Sequence, residues 1–236
     1  MSQIIDFHSH VLPGVDDGSE SVEQSIAMLQ MAAKQGIRRV IATPHFYAQH
    51  DKPEKLLQKR QAAADRLRAE MANHTDLPEL GIGAEVYYFN GISDSDILSK
   101  LTVENTPYVM IEMPMPPWND RVYRELENIW IKQGLMPVIA HIDRYIAPFH
   151  THGIPKKLSR LPVMVQANAS FFIDKSTRSM ALRMLRRGTI QLLGSDCHNL
   201  TDRAPNLGQA LEIIEKKFGP GMLEHLQFCQ DELYRT

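Results

Sequence analysis

The feature that most constrains this chain is a repeated alternation. Short apolar runs of strand composition, most of them ending on a histidine or an acid, are separated by segments with helical spacing. Ile5-Asp6-Phe7 leads to His8-Ser9-His10, Ile37-Arg38-Arg39-Val40-Ile41-Ala42 to Thr43-Pro44-His45, Leu80-Gly81-Ile82-Gly83-Ala84 to Glu85, and Tyr108-Val109-Met110-Ile111 to Glu112. Met136-Pro137-Val138-Ile139-Ala140 leads to His141, Val163-Met164-Val165-Gln166-Ala167 follows, and Ile190-Gln191-Leu192-Leu193-Gly194 leads to Ser195-Asp196-Cys197-His198, making seven runs. Strands alternating with helices predict an α/β fold with a parallel sheet, and this number suits a closed barrel better than an open sheet.

The connecting segments carry helix signals of their own. Asp16-Asp17-Gly18 reads as a turn, Ser21 with Gln24 as a capping box, and Val22, Ile26, Leu29 and Ala33 as one helical face that stops at Gly36. Pro53 opens a charged helix to about Asn73, with Leu56, Leu67 and Met71 facing inward. Pro114, Pro116 and Pro117 break regular structure before Asn119 caps a helix that carries Leu126, Ile129 and Trp130 toward Gly134. Asp174 is expected to cap a helix closing near Gly188, and the chain from about Asn206 onward reads as helical.

Across 236 residues no linker or low-complexity tract marks a boundary, so residues 1–236 are expected to form a single domain. With 26 basic and 28 acidic side chains the formal net charge is −2, which implies no bulk attraction for nucleic acid or an anionic membrane. No apolar run approaches the roughly 18 residues of a membrane span and the amino terminus lacks signal-peptide character, so a cytoplasmic location is expected. Cys197 and Cys229 do not make a disulfide framework. The glycosylation-like triplets at Asn73, Asn168 and Asn199 are read as chance matches, given the absence of an export signal.

Barrel sites lie at the carboxyl ends of the strands, where this pattern puts His8, His10, His45, Glu85, Glu112, His141, Asp196 and His198. Residues two apart on a strand point the same way, so His8 and His10 can present imidazole to one ion. Five histidines and three acids exceed the needs of one tetrahedral zinc, and two or three divalent ions bridged by acids such as Glu85 and Glu112 account for them better. Mixed imidazole and carboxylate ligation fits manganese, iron or zinc. Such a centre lowers the pKa of bound water to about 7 in favourable cases, which makes hydrolysis the natural chemistry. Arg144, three residues after His141, and Arg203, five after His198, stand in loops where a guanidinium could grip phosphate, or could simply be solvated.

Taken together, Asp6-Phe7-His8-Ser9-His10, Asp16-Asp17-Gly18, Thr43-Pro44-His45, Gly83-Ala84-Glu85, Ile111-Glu112, Ala140-His141-Ile142-Asp143-Arg144-Tyr145 and Gly194-Ser195-Asp196-Cys197-His198 resemble the polymerase and histidinol phosphatase (PHP) family. Within it the chain looks most like the bacterial protein-tyrosine phosphatases of capsule and exopolysaccharide gene clusters. The resemblance implies a distorted TIM-like (β/α)7 barrel with a centre of three metal ions, usually manganese or iron. It implies one ion on His8, His10, Glu85 and Asp196, a second on Glu85, Glu112 and His141, and a third held or completed by Asp17, His45 and His198. Asp17 enters only through this resemblance. Arg144 and Arg203 match phosphate-binding arginines, and the implied substrate is the phosphotyrosine tail of the tyrosine kinase of polysaccharide synthesis.

Other readings compete. A PHP phosphatase of a small metabolite such as histidinol phosphate would carry the same ligands under enclosing loops, and a non-catalytic partner of the kinase would have no need of all eight. Cys197 with Arg203 also spells the Cys-x5-Arg pattern of thiolate phosphatases, but no glycine lies between them to let backbone amides converge on phosphate. Flanked by two expected ligands, Cys197 should point away from the site. A phenolate leaves readily, so a general acid is dispensable; His50, His150 and His152 are the loop candidates if one is used.

Overall fold

The computed structural model describes residues 4–149, 151 and 153–234. Nine short parallel strands are present among them: β1 (Ile4–Ser9), β2 (Ile37–Ala42), β3 (His45–Phe46), β4 (Glu79–Ile82), β5 (Glu85–Tyr87), β6 (Tyr108–Glu112), β7 (Met136–Ile139), β8 (Met164–Asn168) and β9 (Leu192–Gly194). The helices are α1 (Val22–Lys34), α2 (Pro53–Met71), α3 (Asp120–Gln133), α4 (Asp143–Ile146), α5 (Gly153–Leu158), α6 (Ala169–Ile173), α7 (Arg178–Arg186), α8 (Leu207–Phe218) and α9 (Pro220–Glu232). No helix among the described residues is long and apolar enough to cross a membrane.

The strand count exceeds the expected seven because two runs break where their backbone bends. Thr43-Pro44 separates β2 from β3 and Gly83-Ala84 separates β4 from β5, so a three-stranded sheet (β1-β2-β4) and a six-stranded one (β3-β5-β6-β7-β8-β9) replace one continuous ladder. Backbone bonds still tie them together. Thr43 N donates to Ser9 O (2.8 Å), Gly83 N to Ala42 O (2.8 Å) and Glu85 N to Pro44 O (3.0 Å). At the other edge, Asp196 N donates to His8 O (2.8 Å) and His10 N to Cys197 O (2.9 Å), beside a parallel bridge from Ser9 to Cys197. Both edges of the larger sheet thus meet the smaller one, and the sheets curl into a distorted barrel.

Two apolar clusters follow from this curl. The larger fills the space between strands and helices, and α1 joins it through Ile26, Met28, Leu29 and Ala32, with Ala32 taking the inward place expected of Ala33. The smaller joins Ile5 and Phe7 of β1, Ile41 of β2, Met110 of β6, Val138 of β7 and Leu192 of β9. Strands so far apart in sheet order share contacts only across the inside of the curl. The barrel is therefore packed solid below its carboxyl-terminal mouth. From α9, Gln230 bonds both backbone groups of Ile5, its Oε1 accepting from Ile5 N at 2.8 Å.

Local signals mostly hold. Ser21 caps α1, accepting from Gln24 N (3.2 Å) while Gln24 Oε1 accepts from Glu20 N (2.7 Å). Asn119 caps α3, accepting from the backbone of Arg121 and Val122. Trp130 is 43% exposed on α3, outside the core that takes Leu126 and Ile129. Asp174 caps no helix: its carboxylate closes a turn by accepting from Ser176 N (2.8 Å), and α7 starts only at Arg178.

Gly194 shows how tightly the mouth is built. A Cβ there would lie 2.5 Å from His8 Cβ and 2.8 Å from Gln166 Nε2, both packed side chains of the barrel interior. Gly194→Ala is expected to cost about 1–3 kcal/mol in urea unfolding, the range for an overpacked core. A variant as stable as the parent would show that β1 and β9 can part without loss.

Candidate metal centre

His8 and His10 reach the mouth through an irregularity in β1. Its register with β2 pairs Asp6 with Val40 and Ser9 with Ala42, so β1 spends three residues where β2 spends two. This bulge turns His8 to the inner side already faced by Phe7, and His10 follows by alternation. His141 and Asp196 stand just past β7 and β9 with φ of 30° and 53°, left-handed values that cost a non-glycine residue of order 1–3 kcal/mol and cluster at functional sites. Glu85 opens β5 and Glu112 closes β6.

These side chains converge. His8 Nε2 lies 3.2 Å from His10 Nε2 and 3.2 Å from Glu85 Oε2, and both imidazole nitrogens lie 3.5 Å from Asp196 Oδ1. Tetrahedral donors about 2.0–2.2 Å from one ion stand about 3.3–3.6 Å apart, so His8, His10 and Glu85 already have nearly the spacing of one ligand set, and Asp196 stands at that spacing from both histidines. Glu85 Oε1 accepts from His141 Nε2 at 2.7 Å, and Glu112 Oε1 is 3.6 Å from the same nitrogen. His45 Nδ1 is 3.1 Å from Glu85 Oε2. Asp17 Oδ1 lies 3.5 Å from Nε2 of both His45 and His198. Donor atoms within 4.8 Å of one another form three overlapping groups: His8, His10 and Glu85; His45, Glu85 and Glu112; and His10, Asp17, His45 and His198. All nine expected ligands are therefore gathered at one mouth.

The electrostatics suit cations. Burial alone would raise the Glu85 carboxyl, but the field of His8 and the close approach of His10, His141 and His45 outweigh it and hold Glu85 well below the usual range. Asp196 is held down against burial by His8, His10 and Arg144. Burial, His10 and Arg203 push His198 down to about 4, which keeps it a neutral imidazole of the kind a metal needs. The buried nitrogens His45 Nδ1, His141 Nδ1 and His198 Nε2 make no hydrogen bond among the described residues, the signature of donors arranged for something other than protein. The residues fit a divalent metal group.

Several residues that hold the expected ligands in place escape a reading of the sequence. Asp16, taken only for a turn, accepts from His10 Nδ1 at 2.7 Å and from His45 N at 3.0 Å; because a carboxylate can only accept, it puts the His10 proton on Nδ1 and turns Nε2 to the mouth. Asp6 accepts from Ser195 N (2.9 Å) and His8 N (3.2 Å), and burial pushes it up to about 6 despite these bonds. From β8, the strand without an expected ligand, Gln166 Oε1 accepts from His141 N (2.6 Å) and faces His8 Nδ1 (3.3 Å). Its amide donates to Asn168 Oδ1 (3.1 Å), and Asn168 donates to Asp196 Oδ2 (2.9 Å). The available signal was the polar Gln166 and Asn168 at the end of an apolar strand.

Arg144 and Arg203 enter the same mouth. Arg144 Nη2 donates to Asp196 Oδ2 at 2.5 Å and Arg203 Nη2 to Asp196 Oδ1 at 2.9 Å, while each side chain stays about a third exposed. Cys197 does not enter it. The thiol is 1% exposed within the main apolar cluster, and burial pushes its pKa well up, the reverse of a nucleophilic thiolate. His50 is exposed and lines a surface cavity of about 400 Å³ with Lys52, Lys55 and Lys59. His150 and His152 lie outside the described residues.

Removing Asp16 leaves the donor atoms in place and frees the ring that it aims. Asp16→Ala should weaken manganese binding, followed by titration calorimetry, about 10- to 100-fold. Unchanged affinity with an unchanged circular dichroism spectrum would deny Asp16 that role.

Comparison with known proteins accords with this geometry. Tyrosine-protein phosphatase CpsB of Streptococcus pneumoniae is 32% identical over 231 residues, covering 92% of this chain and 91% of its own. Tyrosine-protein phosphatase YwqE of Bacillus subtilis is 29% identical over 225 residues, covering 92% and 85%. A crystal structure from work on YwqE and the S. pneumoniae CpsB, described as unique metal-dependent tyrosine phosphatases, superposes with a TM-score of 0.86 at 27% identity, over 98% of this chain and 94% of that one. A histidinol phosphatase homologue of Listeria monocytogenes, at TM-score 0.54 and 12% identity over 91% and 99% of the two chains, shares the fold alone. Residues 4–232 match the family described as capsular polysaccharide synthesis, CpsB/CapC, and the chain belongs to it.

Proposed function

We propose that the protein is a metal-dependent protein-tyrosine phosphatase acting on the phosphotyrosine tail of the bacterial tyrosine kinase of capsule or exopolysaccharide synthesis. The observation that carries this reading is the meeting, on Asp196, of a metal-ligand group with two half-open guanidiniums, since a phosphomonoesterase needs a cationic centre and anion-binding donors at the same point. The fold is read as a (β/α)7 barrel in which β2 with β3 and β4 with β5 each count as one bent strand.

Three ions are proposed, manganese favoured and iron or zinc the alternatives. His8, His10, Glu85 and Asp196 would hold one, Glu85, Glu112 and His141 a second, and Asp17, His45 and His198 the third, with His10 and His45 near enough to be shared. When bound, divalent ions supply Lewis acidity toward phosphoryl oxygens and lower the pKa of water. Glu85, reached from four histidines, would be the carboxylate common to two ligand groups, and its charge would offset repulsion between cations held there. Arg144 and Arg203 direct their remaining N–H groups to the equatorial oxygens, where charge is greatest in the transition state. Phenolate leaves without a dedicated acid, and exposed His50 stands apart from the ligand groups.

Exhaustive chelation is expected to abolish hydrolysis of a phosphotyrosine peptide, and added manganese to restore it; turnover that survives chelation would overturn the metal reading. Cys197→Ala should keep kcat within a few-fold of the parent, because a buried, protonated thiol takes no part. Arg203→Ala should lower kcat/KM about 10²- to 10³-fold, the loss typical of one transition-state donor, with metal content unchanged. Loss of metal from that variant would assign Arg203 to holding Asp196 instead.

A further inference from the structure

β3 and β5 run side by side with His45 opposite Glu85 and Phe46 opposite Val86, and Tyr47 and Tyr87 follow directly after this last rung of the ladder. Phe46 and Val86 face the apolar core, 1% and 0% exposed, and alternation puts Tyr47 on the side of His45 and Tyr87 on that of Glu85. The two tyrosine rings meet with centroids 5.6 Å apart, tilted by 39°, and the Tyr47 ring lies 5.3 Å from the His45 ring. Tyr87 is also in register with Glu112 of β6. Both tyrosines are half-buried, and neither hydroxyl makes a hydrogen bond among the described residues. The backbone beneath Tyr47 is fixed: its N–H donates to Asp51 Oδ2 (2.7 Å), and its carbonyl accepts from the N–H groups of His50 (2.9 Å) and Asp51 (2.8 Å).

We infer that Tyr47 and Tyr87 form the wall against which the aryl ring of the substrate stacks, and that this wall sets a preference for aryl over alkyl phosphomonoesters. The inference rests on the phosphatase reading above. Two residues along a strand advance about 6.6 Å, so a phosphoryl group held at the His45–Glu85 rung puts the ring of a phosphotyrosine at the height of the tyrosine pair. Offset or tilted ring contacts favour such a ring, whereas the short alkyl stem of phosphoserine offers no flat face. Because Tyr87 belongs to β5 and the Tyr47 backbone is held by the turn through His50 and Asp51, little ordering is required when the ring arrives.

The test compares binding of phenylphosphonate and methylphosphonate, neither of which can be hydrolysed as an ester, to the manganese-loaded protein by calorimetry. The parent is expected to bind phenylphosphonate at least about 10-fold more tightly, and Tyr47→Leu/Tyr87→Leu to lose most of that preference while holding methylphosphonate and manganese as before. Tyr47→Phe/Tyr87→Phe keeps both rings and should keep the preference. Equal binding of the two phosphonates by the parent, an undiminished preference in the leucine pair, or a preference lost in the phenylalanine pair would each overturn the wall. The matching kinetic arm uses phosphotyrosine and phosphoserine peptides: a parent that prefers phenylphosphonate yet leaves phosphotyrosine peptide intact would overturn the phosphatase reading and leave the wall standing.

Discussion

The burial of one carboxylate, Glu85, among the imidazoles of His8, His10, His45 and His141 is the interaction on which the rest of the structure depends. Glu85 is 1% exposed, and all four histidines come within 3.4 Å of its two oxygens. Removing an ion from water costs several kcal/mol, and that cost is recovered only where partners are numerous and well aimed. The partners here come from the ends of β1 and β7 and from β3, so the charge can be accommodated only if the sheets curl until these strand ends meet. A well-packed apolar residue in place of Glu85 would relieve that burden and, with it, the reason for the histidines to converge.

The fold answers this demand by placing its irregularities where the candidate ligands are. The bulge in β1 lets Phe7 fill the barrel interior while His8, its neighbour, enters the mouth. Left-handed backbone at His141 and Asp196 turns both side chains inward just where regular strand geometry stops. Each distortion is supported from behind. Gln166 holds the His141 amide, and the Gln166–Asn168 chain links His8 to Asp196 across β8. The one sequence run without a candidate ligand thus supplies, through the amides of Gln166 and Asn168, the links that space its neighbours.

This division explains what was legible in the chain and what was not. Ligand residues announce themselves because histidine and acid at the end of an apolar run are chemically out of place, and six of the seven runs end that way. The parallel α/β sheet follows from alternation alone. The breaks at Thr43-Pro44 and Gly83-Ala84 do not, because whether a bend ends a ladder depends on the neighbouring strand. Asp16 and Asp17 are adjacent in one turn and look alike, yet one aims His10 from behind while the other faces His45 and His198; only the folded path of the turn separates them. Asp174 fails as a cap for a similar reason, since the turn it closes with Ser176 competes with helix initiation.

Charge at the mouth also orders events there. Asp16, Asp17, Glu85, Glu112 and Asp196 supply five carboxylates against the two guanidiniums of Arg144 and Arg203. Such a mouth attracts divalent cations and repels a phosphate dianion. For the proposed phosphatase, cations held at this mouth would be a condition for binding phosphate. The arginines cannot reverse this by themselves, because each already spends an N–H on Asp196. Sharing that carboxylate between the arginines and a candidate ligand group couples the two halves of the proposed site: charge drawn from Asp196 on one side would loosen its hold on the guanidiniums on the other.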